Sequence, residues 1–152
     1  MRQKRTLTVH VVGDHPTLRF ASKELAKYLS LITGERATVQ EEAACGGEAR
    51  VARLDRRTGS GLWLGLASTL PVQGDGGSAG TAGNVSLPPV KDPRFDDAIA
   101  IRTNGANGVI AGNNPRSVLL AVYRYLTEAG CGWVRPGPDG EYVPRRDIGW
   151  FW

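Results

Sequence analysis

Trp133 and Arg135 stand close together in the run Gly130-Cys131-Gly132-Trp133-Val134-Arg135-Pro136-Gly137. An indole can lay its face on a sugar ring, and a guanidinium can donate a bidentate pair of hydrogen bonds to a carboxylate. The same residues also suit a structural part, with Trp133 packed under a helix and Arg135 fixing the turn before Pro136. A second group, Asn113, Asn114 and Arg116, falls where a strand turns into a helix. Backbone N–H groups at such a junction point outward and, with the arginine, could hold a sulfate or carboxylate. A capped helix with an exposed arginine accounts for the same three residues, and their spacing matches no nucleotide-binding fingerprint. The third group is Trp150, Phe151 and Trp152, an unusual density of large rings near a terminus. Such rings dock back on their own domain, meet another domain or drive self-association.

Other reactive side chains are sparse. Cys45 and Cys131 are the two cysteines and His10 and His15 the two histidines, which defines neither a disulfide framework nor a zinc spacing. No metal and no cofactor is expected. For Cys131 to act as a nucleophile it would need a nearby base or a depressed thiol pKa. Neither histidine is its neighbour in sequence, so a small buried thiol at a helix end is the expectation. Alternation puts His10 on the polar side of its strand, which predicts solvent exposure. His15, next to Pro16, falls in the turn that opens the first helix.

Two helices and several strands must carry these groups. Leu7, Val9 and Val11 alternate with polar residues, the period of a half-buried strand. From Leu18, the residues Ala21, Leu25, Tyr28, Leu29 and Ile32 recur at helical spacing, and Gly34 sits where a left-handed cap belongs. Ala37 and Val39 suggest a short second strand, and Glu41 to Ser60, dominated by glycine and charge, reads as a loop with room for a strand around Arg50 to Leu54. Gly61 to Leu66 is apolar enough for a deeply buried strand, and places Trp63 in the core. Asp97–Thr103 and Gly108–Gly112, separated by Asn104-Gly105-Ala106-Asn107, predict an antiparallel hairpin. Asn114 then caps a helix with Pro115 at its first position. Its apolar stripe is Val118, Leu119, Val122, Tyr125, Leu126 and Ala129, and Gly130 ends it. The order β-α-β-β-β-β-α predicts an α+β fold in two layers, a mixed and mainly antiparallel sheet with two principal helices packed on it.

At 152 residues the chain fits one domain spanning 1–152. The stretch of about 71–95 is rich in glycine and poor in large apolar residues, which predicts a flexible loop. The net charge of +4 comes from scattered basic residues. A nucleic-acid partner would call for a basic face interleaved with aromatics, so none is expected. No run approaches the roughly 20 apolar residues of a membrane span, and the basic start lacks the apolar core of a signal peptide. A soluble domain is predicted.

Three stretches carry a family resemblance. They are Glu24 to Gly34, reading ELAKYLSLITG; Arg116 to Leu126, reading RSVLLAVYRYL; and Gly130-Cys131-Gly132-Trp133 with Pro136-Gly137. In this order they resemble the N-terminal domain of the α-glucuronidases of glycoside hydrolase family 67, and are similar to the domain preceding the barrel of family 20 β-N-acetylhexosaminidases. The chain departs from the pattern at Ser117, where glycine often follows the arginine, and at Ala98, where an aromatic commonly follows the acidic pair.

The resemblance implies a non-catalytic accessory domain of a glycoside hydrolase, supporting a (β/α)8 catalytic barrel of the same parent protein. A barrel takes about 250 residues, more than this sequence holds, so the acid and base would lie elsewhere in the parent. Glycoside hydrolysis requires two carboxyl groups about 5 to 9.5 Å apart. Asp96 and Asp97, as strand neighbours, should point to opposite faces, and Glu41-Glu42 suits a charged strand end. No catalytic residue is expected here. Two rivals remain: a free-standing carbohydrate-binding or assembly module, and a small independent hydrolase.

Overall fold

The computed structural model describes residues 6–42, 61–70, 85–104 and 107–146. Its strands are β1 (Leu7–Val12), β2 (Ala37–Glu42), β3 (Gly61–Leu66), β4 (Ile99–Asn104) and β5 (Asn107–Gly112). The helices are α1 (Pro16–Thr33) and α2 (Pro115–Glu128). A short hairpin follows, β6 (Gly132–Trp133) and β7 (Glu141–Tyr142), with a 3-10 turn (Pro138–Gly140) between its strands.

The five long strands form one sheet in the order β2-β1-β3-β5-β4, with both helices packed on it. A two-layer α+β fold with a mixed sheet is therefore present. The expected antiparallel majority is not. β1 runs parallel to β2 and to β3, and β3 runs parallel to β5; β4 and β5 form the antiparallel pair. The reason lies in the connections, since α1 spans 18 residues and a helix of that length between neighbouring strands returns the chain to the same end of the sheet. The chain reverses direction between β3 and β4 and again at the short 104–107 connection, which makes β4 the antiparallel edge strand.

One sheet face sends Leu7, Val9, Val11, Leu62, Leu64 and Ile110 against Leu25, Tyr28, Leu29 and Ile32 of α1 and Val118, Val122, Tyr125 and Leu126 of α2. The helical spacing of the apolar residues thus corresponds to burial, and β3 lies at the centre of the sheet, as its apolar run predicts. Leu119 is only partly buried. Burial of Tyr125 pushes its phenol up to about 12.

The opposite face packs Val12 and Ala111 against Ala67, Leu70 and Val85, with Trp63 and Leu87 partly buried beside them. Of the glycine-rich stretch, 71–84 lies outside the described residues, whereas Val85 is anchored to the sheet. The turn that follows is also held, because Asp96 Oδ2 accepts from the backbone N–H groups of Lys91 and Asp92, at 3.0 and 2.9 Å. Trp63, expected in the core, instead lies partly buried on this second face. The strand expected around Arg50 to Leu54 falls outside the described residues.

Cap chemistry sets the helix ends. α1 begins two residues earlier than Leu18, because the His15 ring accepts a hydrogen bond from the Thr17 N–H at 3.1 Å and serves as N-cap. Gly34, in the left-handed conformation, closes it. At the end of α2, Gly130 N–H donates to Thr127 O and Cys131 N–H to Leu126 O. This double closure requires a left-handed residue between, and Gly130 has φ 101°.

After the hairpin the chain crosses back to α1. Arg146 N–H donates to Ile32 O at 2.9 Å, and Leu7 N–H donates to Arg36 O at 3.0 Å. Both ends of the described fold are thus hydrogen-bonded to the segment at the end of α1. Among the described residues no helix is long and apolar enough to cross a membrane.

Candidate functional site

The hairpin lies against the two helices through Trp133. Its indole N–H donates to the Tyr28 hydroxyl at 3.1 Å. The indole also meets the rings of Tyr28 and Tyr123 edge-on, with centroids 5.3 and 5.2 Å away. Tyr123 in turn donates its hydroxyl proton to Glu24 Oε2 at 2.8 Å. One residue from α1, one from α2 and one from β6 therefore form a single aromatic corner. Burial, and then the bond to Glu24, raise the Tyr123 phenol far above its ordinary value.

Charge surrounds this corner. The Lys27 ammonium sits 4.6 Å from the centre of the Tyr28 ring. Burial opposes its charge, but Tyr28, Glu24 and Glu141 together hold it above the usual lysine value. Cys131 is buried at the foot of the hairpin, and burial, helped by Glu141, pushes its thiol up. A thiol held in its neutral form is a poor nucleophile, in keeping with the small buried thiol expected there.

Arg135 does not join the corner. It is exposed and pairs with Asp139 across the 3-10 turn. Of the two sequence-derived sugar contacts, Trp133 thus faces inward against two tyrosines, and Arg135 braces its own turn. These placements follow the structural alternatives for both residues.

Asn113, Asn114 and Arg116 are brought together, and a carboxylate already lies among them. Arg116 grips Asp97, with Nε 3.1 Å from both carboxylate oxygens and Nη2 3.0 Å from Oδ1. The Asn114 amide donates to the same Oδ1 at 3.0 Å. Asn114 also caps α2: its Oδ1 accepts from Ser117 N–H at 2.8 Å, while its own N–H donates to Ser117 Oγ at 3.0 Å. Ser117, at the position where the resembled domains often carry glycine, is fully buried and completes this reciprocal cap. Asn113 fastens the preceding loop, accepting from Ala98 N–H and donating to Asp96 O, each at 3.0 Å. The Arg116 guanidinium and the side-chain amide of the cap residue Asn114 together thus receive an internal anion.

Arg116 and then Asn114 hold the Asp97 carboxyl below the usual carboxylate range. A depressed folded-state pKa contributes stability above the unfolded pKa and loses it as pH falls through the folded value. Asp97→Asn is therefore expected to lower the urea midpoint at neutral pH, and the gap to the parent should close in acid. A gap that stayed constant down to pH about 2 would show that Asp97 contributes through shape, not charge.

Asp96 and Asp97 precede β4 instead of lying in it as strand neighbours, and their carboxylates part in a loop, the first toward the 91–92 backbone and the second toward α2. His10 departs from expectation. Its side chain is only 15% exposed and approaches Glu42 at 3.2 Å. Its ring stacks on Trp63 with centroids 4.2 Å apart. The parallel register explains this, since His10 and Trp63 are direct partners across β1 and β3. Alternation correctly separates His10 from the helix-facing side but carries no information about what lies on the other face.

Among the described residues no group of three or more His, Cys, Asp or Glu is placed to hold a metal ion. Trp150, Phe151, Trp152 and Cys45 lie outside the described residues. Sequence reasoning passed over Tyr142, which is 66% exposed on β7, and no local pattern in the sequence marks it. Comparison of the chain with protein-family models, curated proteins and solved structures gives no match.

Proposed function

We propose that this chain is a non-catalytic accessory domain of a glycoside hydrolase, supporting a (β/α)8 catalytic barrel in the same parent protein. One observation carries the reading: the three stretches behind the family resemblance converge on one aromatic corner. Tyr28 comes from the first, Tyr123 from the second and Trp133 from the third, joined ring to ring and by the Trp133–Tyr28 hydrogen bond. The resemblance thus rests on residues that cooperate in space, as a shared architecture requires. The polar groups nearest to chemistry are engaged in that architecture, Asp97 with Arg116 and Arg135 with Asp139.

The outer surfaces of the helices suit a neighbouring domain. Phe20 and Leu31 on α1 and Leu120 on α2 are each about half exposed, and large apolar side chains left in water favour association. A barrel resting on the helical layer would cover them. For Trp150, Phe151 and Trp152 a junction with the barrel is proposed as well, with self-association as the competing use of those rings.

The reading frame beyond codon 152 is the direct test. A downstream sequence of about 250 residues with alternating strand and helix patterns is expected. A stop codon there overturns the proposal and favours a free-standing carbohydrate-binding or assembly module. Incubated alone with 4-nitrophenyl glycosides, the chain should release no nitrophenol; turnover would assign it to the independent hydrolases.

A further inference from the structure

We propose that His15 makes the start of α1 a pH-sensitive joint: the neutral imidazole caps the helix, and uptake of a proton by the ring releases the cap. The device is a property of this fold alone and holds whether or not a barrel follows.

The direction of the capping bond carries the inference. His15 Nδ1 lies 3.1 Å from the Thr17 backbone nitrogen. A backbone N–H can only donate, so Nδ1 must accept and must keep its lone pair free for Thr17. In the neutral ring the proton then resides on Nε2. An imidazolium carries N–H on both nitrogens and has no acceptor left. A proton from solvent and the Thr17 N–H therefore compete for one lone pair. His10 provides the contrast, because its Nδ1 faces Glu42 Oε1 at 3.2 Å, and a carboxylate accepts from the neutral and the charged ring alike. Mild acid thus leaves the His10 contact in place and removes the His15 one.

Nothing nearby replaces the lost cap. The next two donors of α1, Leu18 N–H and Arg19 N–H, are already taken by the His15 carbonyl at 3.0 and 3.2 Å, and Pro16 has no N–H to offer. The first turn holds no acidic side chain, so an imidazolium would meet the positive end of the helix dipole uncompensated. Of the charged groups at this end of the sheet, Arg19 is turned to Glu41 at 3.5 Å and Glu42 to His10. Asp14, beside His15 in sequence, makes no ion pair with it among the described residues. The second helix has no such sensitivity, since α2 is capped reciprocally by Asn114 and Ser117, neither of which titrates. The turn so controlled holds buried Leu18, the Arg19 link to β2 and the half-exposed Phe20. Release of the cap therefore loosens the α1–β2 connection and one apolar group of the outer helical surface together.

Amide and histidine-ring resonances of the full chain, followed from about pH 8 to about pH 5, test the proposal. The Thr17 amide should move along the titration curve of the His15 ring and not along that of His10. After correction for the intrinsic pH dependence of exchange, Thr17 should exchange about fivefold faster once His15 is protonated, the factor for an N-cap of ordinary strength. Asn114 already serves as cap on α2, so His15→Asn should keep Thr17 protected at both ends of the range and abolish the step. His15→Ala should leave Thr17 fast throughout. A Thr17 exchange rate indifferent to the state of His15, or an undiminished acid step in His15→Asn, overturns the proposal.

Discussion

Tyr28→Ala is expected to destabilise the fold by about 3–5 kcal/mol, the range for deleting a buried aromatic ring. Tyr28 is among the largest fully buried side chains and belongs to the main core cluster. Its removal would leave a void between α1 and the sheet. It would also deprive the Trp133 indole of its hydrogen-bond acceptor and one of its two ring contacts. Urea unfolding followed by far-ultraviolet circular dichroism measures the loss. Tyr28→Phe isolates the polar part: the ring stays, the Trp133 N–H loses its acceptor, and a cost of about 1–3 kcal/mol is expected. If Tyr28→Phe proved as stable as the parent, the hydrogen bond would contribute nothing and the corner would be held by packing alone.

Gly112→Ala should cost about 3 kcal/mol, near the upper end for forcing one methyl group into a filled interior. Gly112 ends β5 and lies under the first turn of α2. A Cβ there would collide with Ser117 Oγ and would stand only 2.6 Å from the Val118 backbone nitrogen and 2.8 Å from the Ser117 carbonyl carbon. A side chain can rotate away, but backbone at the start of a capped helix cannot. Adding Ser117→Ala should therefore fail to rescue the variant, since it removes one obstacle and leaves two while also breaking the cap. Full recovery of the urea midpoint in the double variant would show that the strand–helix contact is less tight than its geometry requires.

The helices were legible in the sequence because their information is local. Leu25, Tyr28, Leu29 and Ile32, like Val118, Val122, Tyr125 and Leu126, repeat at helical spacing and prove buried. Asn114 with Pro115, Gly34 and Gly130 mark ends by side-chain and backbone preferences that act within a few residues. The sheet was legible only in part. Alternation in Leu7–Val11 places a strand and its apolar face but does not say which strand lies beside it, so the positions of the five long strands were readable, whereas their direction and the short β6–β7 hairpin were not. The long α1 connection held the missing information, because an 18-residue helix between β1 and β2 favours a parallel return.

The same distinction between local and distant information governs the site. His15 is not among the common capping residues, and its role becomes visible only from the Thr17 N–H pointing at its ring. Asp97 and Arg116 are separated in sequence by the whole of the β4–β5 hairpin, and their pairing depends on how that hairpin folds back. Trp133 and Arg135 drew notice by residue type, yet type does not reveal prior engagement.

Leu7 and Arg146 are both fastened at the end of α1, the first to Arg36 and the second to Ile32. Entrance and exit of the described fold therefore share one corner. For any polypeptide continuing from both sides, the domain is a detour that returns the chain close to its point of departure. Its orientation relative to such neighbours would be governed at that corner, leaving the β4 edge of the sheet outside the line of connection.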